Sequence, residues 1–335
     1  MTIALRYADS FDGYTTQAQR WTAAVGNAGA IAAGAARTGI AGIRFATTPG
    51  GQRLTLTAQG TWITGCGFRR NGFDANEVIL RTIDNVTTQG AVRSDLTGVF
   101  SVLRGTTVVA TGVTPILANT YYYAEFKHII LNAAGTLEVR VNGGVSVTFS
   151  GDTQETANAT ADQFAIGPQT GASGNTFDYD DLYICDGTGS INNDYLGDAQ
   201  IEYLACNADG NSEQWTPSAG SNFQNVDEAD PDDDTTYNST STEGNKDTFG
   251  MANISLAAAT IPGIQVIIRA RKESAGTANI QRVYRSGVSE NNGASFNPST
   301  SYATQLEIME TDPIAVGAWT VTNLNNSEFG YAAVA

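Results

Sequence analysis

Alternation of apolar and polar residues with a period of two, interrupted by turn-forming pairs, constrains this chain more than any other feature. Side chains two apart share one face of a strand, so this pattern suits half-buried β-strands and not helices. Residues 53–57 (RLTLT), 61–70 (TWITGCGFRR), 77–81 (EVILR), 98–103 (GVFSVL) and 106–110 (TTVVA) read as successive strands. Residues 121–131, 136–141 and 145–149 follow. The last two flank Asn142-Gly143-Gly144, a hairpin signal because Asn-Gly tolerates positive φ. Residues 164–167 and 177–185 close a first set, which ends near Leu196.

A polar stretch and an acidic loop, 227–234 (DEADPDDD), come next. The alternation resumes at 263–272, with Ile264, Val266 and Ile268 expected inward and Gln265, Arg269 and Arg271 outward. Residues 280–284, 302–308 and 319–324 read as further strands. Strands joined by turns without helices between them predict an all-β chain: two antiparallel β-sandwich (jelly-roll) domains in series, 1–196 and 197–335. A length of 335 residues suits two domains. The apolar-looking run 23–43 carries Asn27, Arg37 and several glycines, so it reads as short strands and small-residue loops, not as a membrane span.

Charge narrows the partners. The net charge of −16 repels phosphate backbones and anionic lipid, so neither nucleic acid nor a membrane is expected. Cys66, Cys185 and Cys206 form no CxxC pair, which argues against zinc and disulfides and fits folding in a bacterial cytoplasm. Residues 1–7 are too short for the apolar region of a signal peptide.

Catalytic chemistry finds few candidates. His128 is the only histidine, and it shares strand parity with Tyr122, Ala124, Phe126 and Ile130, an apolar face. A packed structural histidine is the expected reading, which argues against serine or cysteine hydrolases. Glycosidases need two carboxylates across a sugar site. The nearest ExDxxE match, Glu310-Thr311-Asp312, lacks its third acid because Ala315 stands there. Asp178, Asp180, Asp181 and Asp186 gather at the end of the first set, and Asp209 joins the 227–234 run. Calcium is the cation such oxygens would take, but neither group has calcium-loop spacing, so solvated loops and no bound cofactor are expected. Tyr121 and Tyr123 are the candidates for stacking on a glycan. Arg269, Arg271, Lys272, Arg282 and Arg285 form a basic strip that either docks the chain on an acidic neighbour or neutralises the acidic loop of its own domain.

Several motifs occur in a telling order. Phe11-Asp12-Gly13-Tyr14, residues 121–127 (YYYAEFK), 135–143 (GTLEVRVNG) and 177–184 (FDYDDLYI) resemble the laminin-G-like, concanavalin-A-like jelly rolls of tailed-phage virion proteins. Residues 192–198 (NNDYLGD), 214–217 (QWTP), 225–228 (NVDE), 232–237 (DDDTTY), Glu310 to Pro313, Trp319-Thr320 and 328–330 (EFG) resemble a β-domain that accompanies them. The resemblance implies a non-enzymatic structural component of the virion surface, on the tail or neck or as a head decoration, assembled in the host cytoplasm. It implies contacts with other virion proteins, homo-oligomers with a trimer favoured, and contact with host-surface glycans. The alternative is a phage glycan depolymerase, a glycoside hydrolase on the same fold.

Overall fold

The computed structural model describes residues 3–46, 48–169, 173–256 and 260–335. They form two compact units, Met1–Ile201 and Glu202–Ala335, and the chain is all-β, with antiparallel pairing between its named strands. Among the described residues no helix is long and apolar enough to cross a membrane.

In the first unit the strands are β1 (Leu5–Asp9), β2 (Ala23–Ala24), β3 (Ala30–Ala32), β4 (Gly42–Phe45), β5 (Gln52–Gln59), β6 (Thr61–Arg70), β7 (Glu77–Asp84), β8 (Thr87–Ser94), β9 (Phe100–Arg104), β10 (Thr107–Thr111), β11 (Tyr122–Ile129), β12 (Gly135–Val141), β13 (Gly144–Gly151), β14 (Ala161–Ile166) and β15 (Phe177–Cys185). An eight-stranded sheet runs β13-β12-β11-β6-β15-β4-β3, with β1 also paired to β15. A seven-stranded sheet runs β10-β9-β8-β7-β14-β5-β2. The sheets meet through large rings: Trp62 stacks on Phe164 with centroids 6.2 Å apart, and Phe68 tilts against Phe100. The β6–β11 register places Trp62, Thr64, Cys66 and Phe68 beside His128, Phe126, Ala124 and Tyr122, so these residues share the inner face. Asn142 and Gly143 take φ of 49° and 79°, and the β12–β13 hairpin turns on them.

The second unit comprises β16 (Cys206–Glu213), β17 (Thr216–Pro217), β18 (Asn238–Ser239), β19 (Lys246–Met251), β20 (Ile264–Ala270), β21 (Asn279–Ser286), β22 (Ser289–Phe296), β23 (Ala303–Met309), a short helix α1 (Val321–Asn325) and β24 (Ser327–Val334). Its main sheet is β16-β19-β24-β21-β22, and β20 with β23 forms a separate ribbon. Ile264 and Val266 pack on a core of Ile261, Tyr284, Met309, Trp319, Leu324 and Phe329. The strand expected at 319–324 is not there. Thr320 Oγ1 accepts the Asn323 N–H and caps α1, while Trp319 Nε1 donates to the Met309 carbonyl and pins the turn.

Candidate functional site

The richest polar surface is the outer face of the eight-stranded sheet. It begins with two glycines in β6. Gly65 and Gly67 have outward parity, opposite to Trp62, Cys66 and Phe68. A Cβ on Gly65 would lie 2.3 Å from the Tyr183 ring and 2.8 Å from the Tyr123 ring, and one on Gly67 would lie 2.6 Å from Arg37 Cδ. The missing side chains open a trough that these three residues fill. In β15, Asp178 and Asp180 face outward by alternation with the core residues Phe177 and Tyr179, and a bulge after Asp180 adds Asp181 to that face. The register with β6 shifts between Asp180 and Tyr183, and Asp181 takes a left-handed φ of 51°.

The acids are fully engaged. Asp178 is buried and accepts from Arg44 Nε at 2.7 Å and Arg69 Nε at 3.0 Å, while the Arg69 guanidinium lies 4.5 Å from the centre of the Tyr121 ring. Asp180 accepts backbone N–H bonds from Arg37, Thr38 and Asp181. Asp181 accepts from Arg37 Nη1 at 2.8 Å, the Thr38 hydroxyl and the Ile201 N–H. Burial, then the adjacent Asp181, pushes the Asp180 carboxyl up to about 8 despite its three N–H donors. Burial also raises the Asp181 carboxyl, against the bonds from Ile201, Thr38 and Arg37.

The chain itself covers this face. The Leu196 N–H donates to the Tyr183 hydroxyl, which donates to Glu125 Oε1 at 2.6 Å, and the Gly197 N–H reaches the same carboxylate at 2.9 Å. Asp198 and the Ala199 carbonyl hold Arg37. The Tyr195 ring sits 4.4 Å from Lys127 Nζ and 4.0 Å from the Arg140 guanidinium carbon. Residues 194–201 therefore close the trough, and the part left half-exposed is the Arg44–Asp178–Arg69–Tyr121 cluster.

The two tyrosines singled out from sequence separate. Tyr121 is half-buried, but Tyr123 is 1% exposed, donates its hydroxyl to the Asp181 carbonyl and lies under Arg37. A sugar has no path to the Tyr123 ring. His128 is buried, with Nδ1 2.8 Å from Thr82 Oγ1 and Nε2 3.1 Å from the Thr153 carbonyl, and burial lowers its pKa to about 4. Asp178, Asp180, Asp181 and Asp186 are not solvated loop acids: all are buried, because the bulge and the arginines draw them in. Asp312 accepts from the Ile314 and Ala315 N–H groups and serves as a turn residue.

The basic strip finds its partners inside its own unit. Arg269 pairs with Asp233, Arg271 with Asp234, Arg282 with Glu307 and Arg285 with Glu328. Lys272 donates to Asn297 Oδ1. Of the two readings of this strip, neutralisation of nearby acids describes the geometry. Among the described residues no three His, Cys, Asp or Glu side chains converge as a metal site would require. Sequence reasoning passed over Arg44 and Arg69. Their outward parity was legible, since Arg44 alternates with Ile43 and Phe45 and Arg69 with Phe68, but their shared carboxylate was not.

No family model and no curated protein matches the chain. Solved structures do show likeness. An endo-β-1,4-glucuronan lyase from the fungus Trichoderma reesei is 12% identical over 51% of this chain and 93% of its own, with a TM-score of 0.40. The cellulose-induced protein Cip1 is 11% identical over 58% of this chain and all of its own, at 0.43. A Trypanosoma rangeli sialidase mutant is 12% identical over 50% of this chain and 28% of its own, at 0.36. None of them places a residue of this chain. They do correct the expectation of a chain without enzymatic activity: the likenesses include a lyase and a sialidase, so absence of activity does not follow from the fold.

Proposed function

We propose that the chain is a carbohydrate-active protein that engages an acidic glycan at the Arg44–Asp178–Arg69–Tyr121 cluster. One observation carries this reading. The buried Asp178 carboxylate grips both guanidiniums through Nε and Nη2, which fixes them side by side and leaves Nη1 of each outside those bonds. The cluster keeps one net positive charge and remains half-exposed. Planar, preorganised guanidiniums match a sugar carboxylate better than a flexible ammonium would. Stacking on Tyr121 restrains Arg69 further.

A panel of acidic and neutral polysaccharides, read for both binding and new chain ends, tests the proposal. The full chain is expected to bind acidic members, and Arg69→Ala to weaken that binding about tenfold, the loss typical of one charge-assisted contact. New chain ends would make it a depolymerase, and binding without cleavage an adhesin. Failure to bind any acidic glycan would overturn the reading.

A second reading, favoured by the ordered motifs from Phe11 to Ile184, sets the chain on the outside of a tailed-phage particle as a homo-oligomer among other virion proteins. Immunogold labelling of purified particles tests it, and label absent from every particle fraction would sink it.

A further inference from the structure

The opposite face of the same sandwich carries a different arrangement of arginines. Phe164 and Ile166 of β14 point into the core, so Ala165 points outward from the seven-stranded sheet. The register sets Arg53 of β5 and Arg81 of β7 on either side of Ala165, and Ala91 of β8 beside Arg81. Arg93, two residues beyond Ala91, shares that face and lies opposite Ser101. Ala165 and Ala91 are both fully buried although they face outward, as expected where arginine stems lie across small residues.

These three arginines lack what the other face supplies. Among the described residues no carboxylate lies within ion-pairing distance of any of them, and Nε of each is covered without an acceptor. Arg81 and Arg93 reach only hydroxyls, Thr88 and Ser101, at 3.5 Å. Burial first, and then Arg53, lowers the affinity of Arg81 for its proton. A chain with net charge −16 has thus left Arg53 and Arg81 without a carboxylate partner on one sheet face, with Arg93 beside them close enough to Asp95 for their charges to interact.

We propose that the outer face of the seven-stranded sheet is a binding surface for a linear acidic polysaccharide, held by Arg53, Arg81 and Arg93. Arg53 and Arg81 lie two strand positions apart, about 10 Å across the sheet. A polymer lying across the strands can meet them with successive anionic groups, carboxylate or sulfate. Protein interfaces centre on buried aromatic anchors. The row here is instead arginine over alanine, with Leu103 and Val108 at its end, so a protein partner fits less well.

The site is independent of Arg69, which allows a clean test. Binding of polygalacturonate and of heparin to the full chain would be measured by calorimetry at two salt concentrations, with single-stranded DNA as a third probe. At least one of the two glycans is expected to bind. Arg53→Gln/Arg81→Gln should weaken that binding about a hundredfold, as for two lost charge-assisted contacts, and flatten its salt dependence. Arg81→Lys should retain part of it, and Arg53→Gln/Arg81→Gln should cause the same fold loss in an Arg69→Ala background, because the two faces act independently. No glycan binding by the native chain, unchanged binding by a double variant with a native-like melt, or DNA binding as tight as glycan binding would each overturn the proposal. If the double variant does not fold, Arg93→Gln alone provides the same test with about a tenfold expected loss.

Discussion

The two outer faces of the first unit use the same residue type in opposite ways. On the eight-stranded sheet Arg37, Arg44, Arg69, Lys127 and Arg140 all meet carboxylates, and residues 194–201 contact Arg37, Lys127 and Arg140. On the outer face of the seven-stranded sheet Arg53, Arg81 and Arg93 form no ion pair among the described residues, the Nε of each lacks an acceptor, and only Arg93 has a carboxylate nearby, Asp95. The backbone makes the difference. In β15, Asp178 and Asp180 alternate outward and the bulge adds Asp181, and the glycines of β6 make room for the groups that cover them. In β14 the corresponding position is Ala165, which contributes a floor and no charge. An arginine against a buried carboxylate is part of the structure, because removing either partner strands the other in a poorly solvated site. An arginine lying on alanine is free to serve a ligand.

The sharpest way to break this contrast is Arg37→Ala. Asp181 has no exposed side-chain surface, so losing its cation should cost the first unit about 3 kcal/mol. Denaturant unfolding, with hydrogen exchange on β6 and β15 to report this unit, measures it. A loss below about 1 kcal/mol would show that the covered face is no more structural than the open one. Gly65→Ala should come next, at about 1–3 kcal/mol, since the new methyl meets two packed tyrosine rings. In the same unfolding measurement Gly65→Ala combined with Tyr183→Ala, which removes the ring, should cost less than the sum of the two single changes.

The pH dependence sharpens the contrast further. Asp180 holds its proton more tightly in the folded chain, so its contribution is fullest below the unfolded carboxyl value near 4 and is lost as pH rises toward about 8. His128 acts the other way: its folded value near 4 lies below its unfolded value near 6.5, so its contribution is lost as pH falls through that interval. The two oppose each other below about pH 6.5. Between about 6.5 and 8 Asp180 acts without His128, and stability should decline by at most about 1.4 kcal/mol per pH unit. Asp180→Asn should flatten that decline, and unfolding midpoints across pH 6.5–8 read it. The smallest effect is expected on the open face. Arg81→Gln should change stability by less than about 0.5 kcal/mol, or raise it slightly by relieving Arg53, while glycan binding falls. A thermal melt that drops as far as that of Arg37→Ala would erase the distinction between the faces.

Much of the local architecture was legible. The alternation in residues 61–70 marks Trp62, Cys66 and Phe68 as inward and Arg69 as outward, and the Asn142-Gly143 turn is where the hairpin lies. His128 follows the same parity into the core. Residues 319–324 misled because Trp319 and Val321 suit a strand, whereas the Thr320 cap and the bond from Trp319 to Met309 come from tertiary context. Tyr123 misled for a related reason. Parity puts it outward, but it cannot show that Arg37, far away in sequence, lies over its ring.

Taken alone, the sequence determined the all-β class, the parity of most strands and the structural character of the lone histidine, because each depends on residues within a few positions of one another. The tertiary structure alone decided which charges are satisfied. Arg44 and Asp178 are 134 residues apart, and Arg37 and Asp181 are 144 apart. Strand order and register bring such pairs together, and the same register leaves Arg53, Arg81 and Arg93 facing alanine and hydroxyl groups. Coulomb energy falls with distance and solvent screening. The function of an arginine here therefore follows from its neighbours across the sheet, which a linear sequence does not contain.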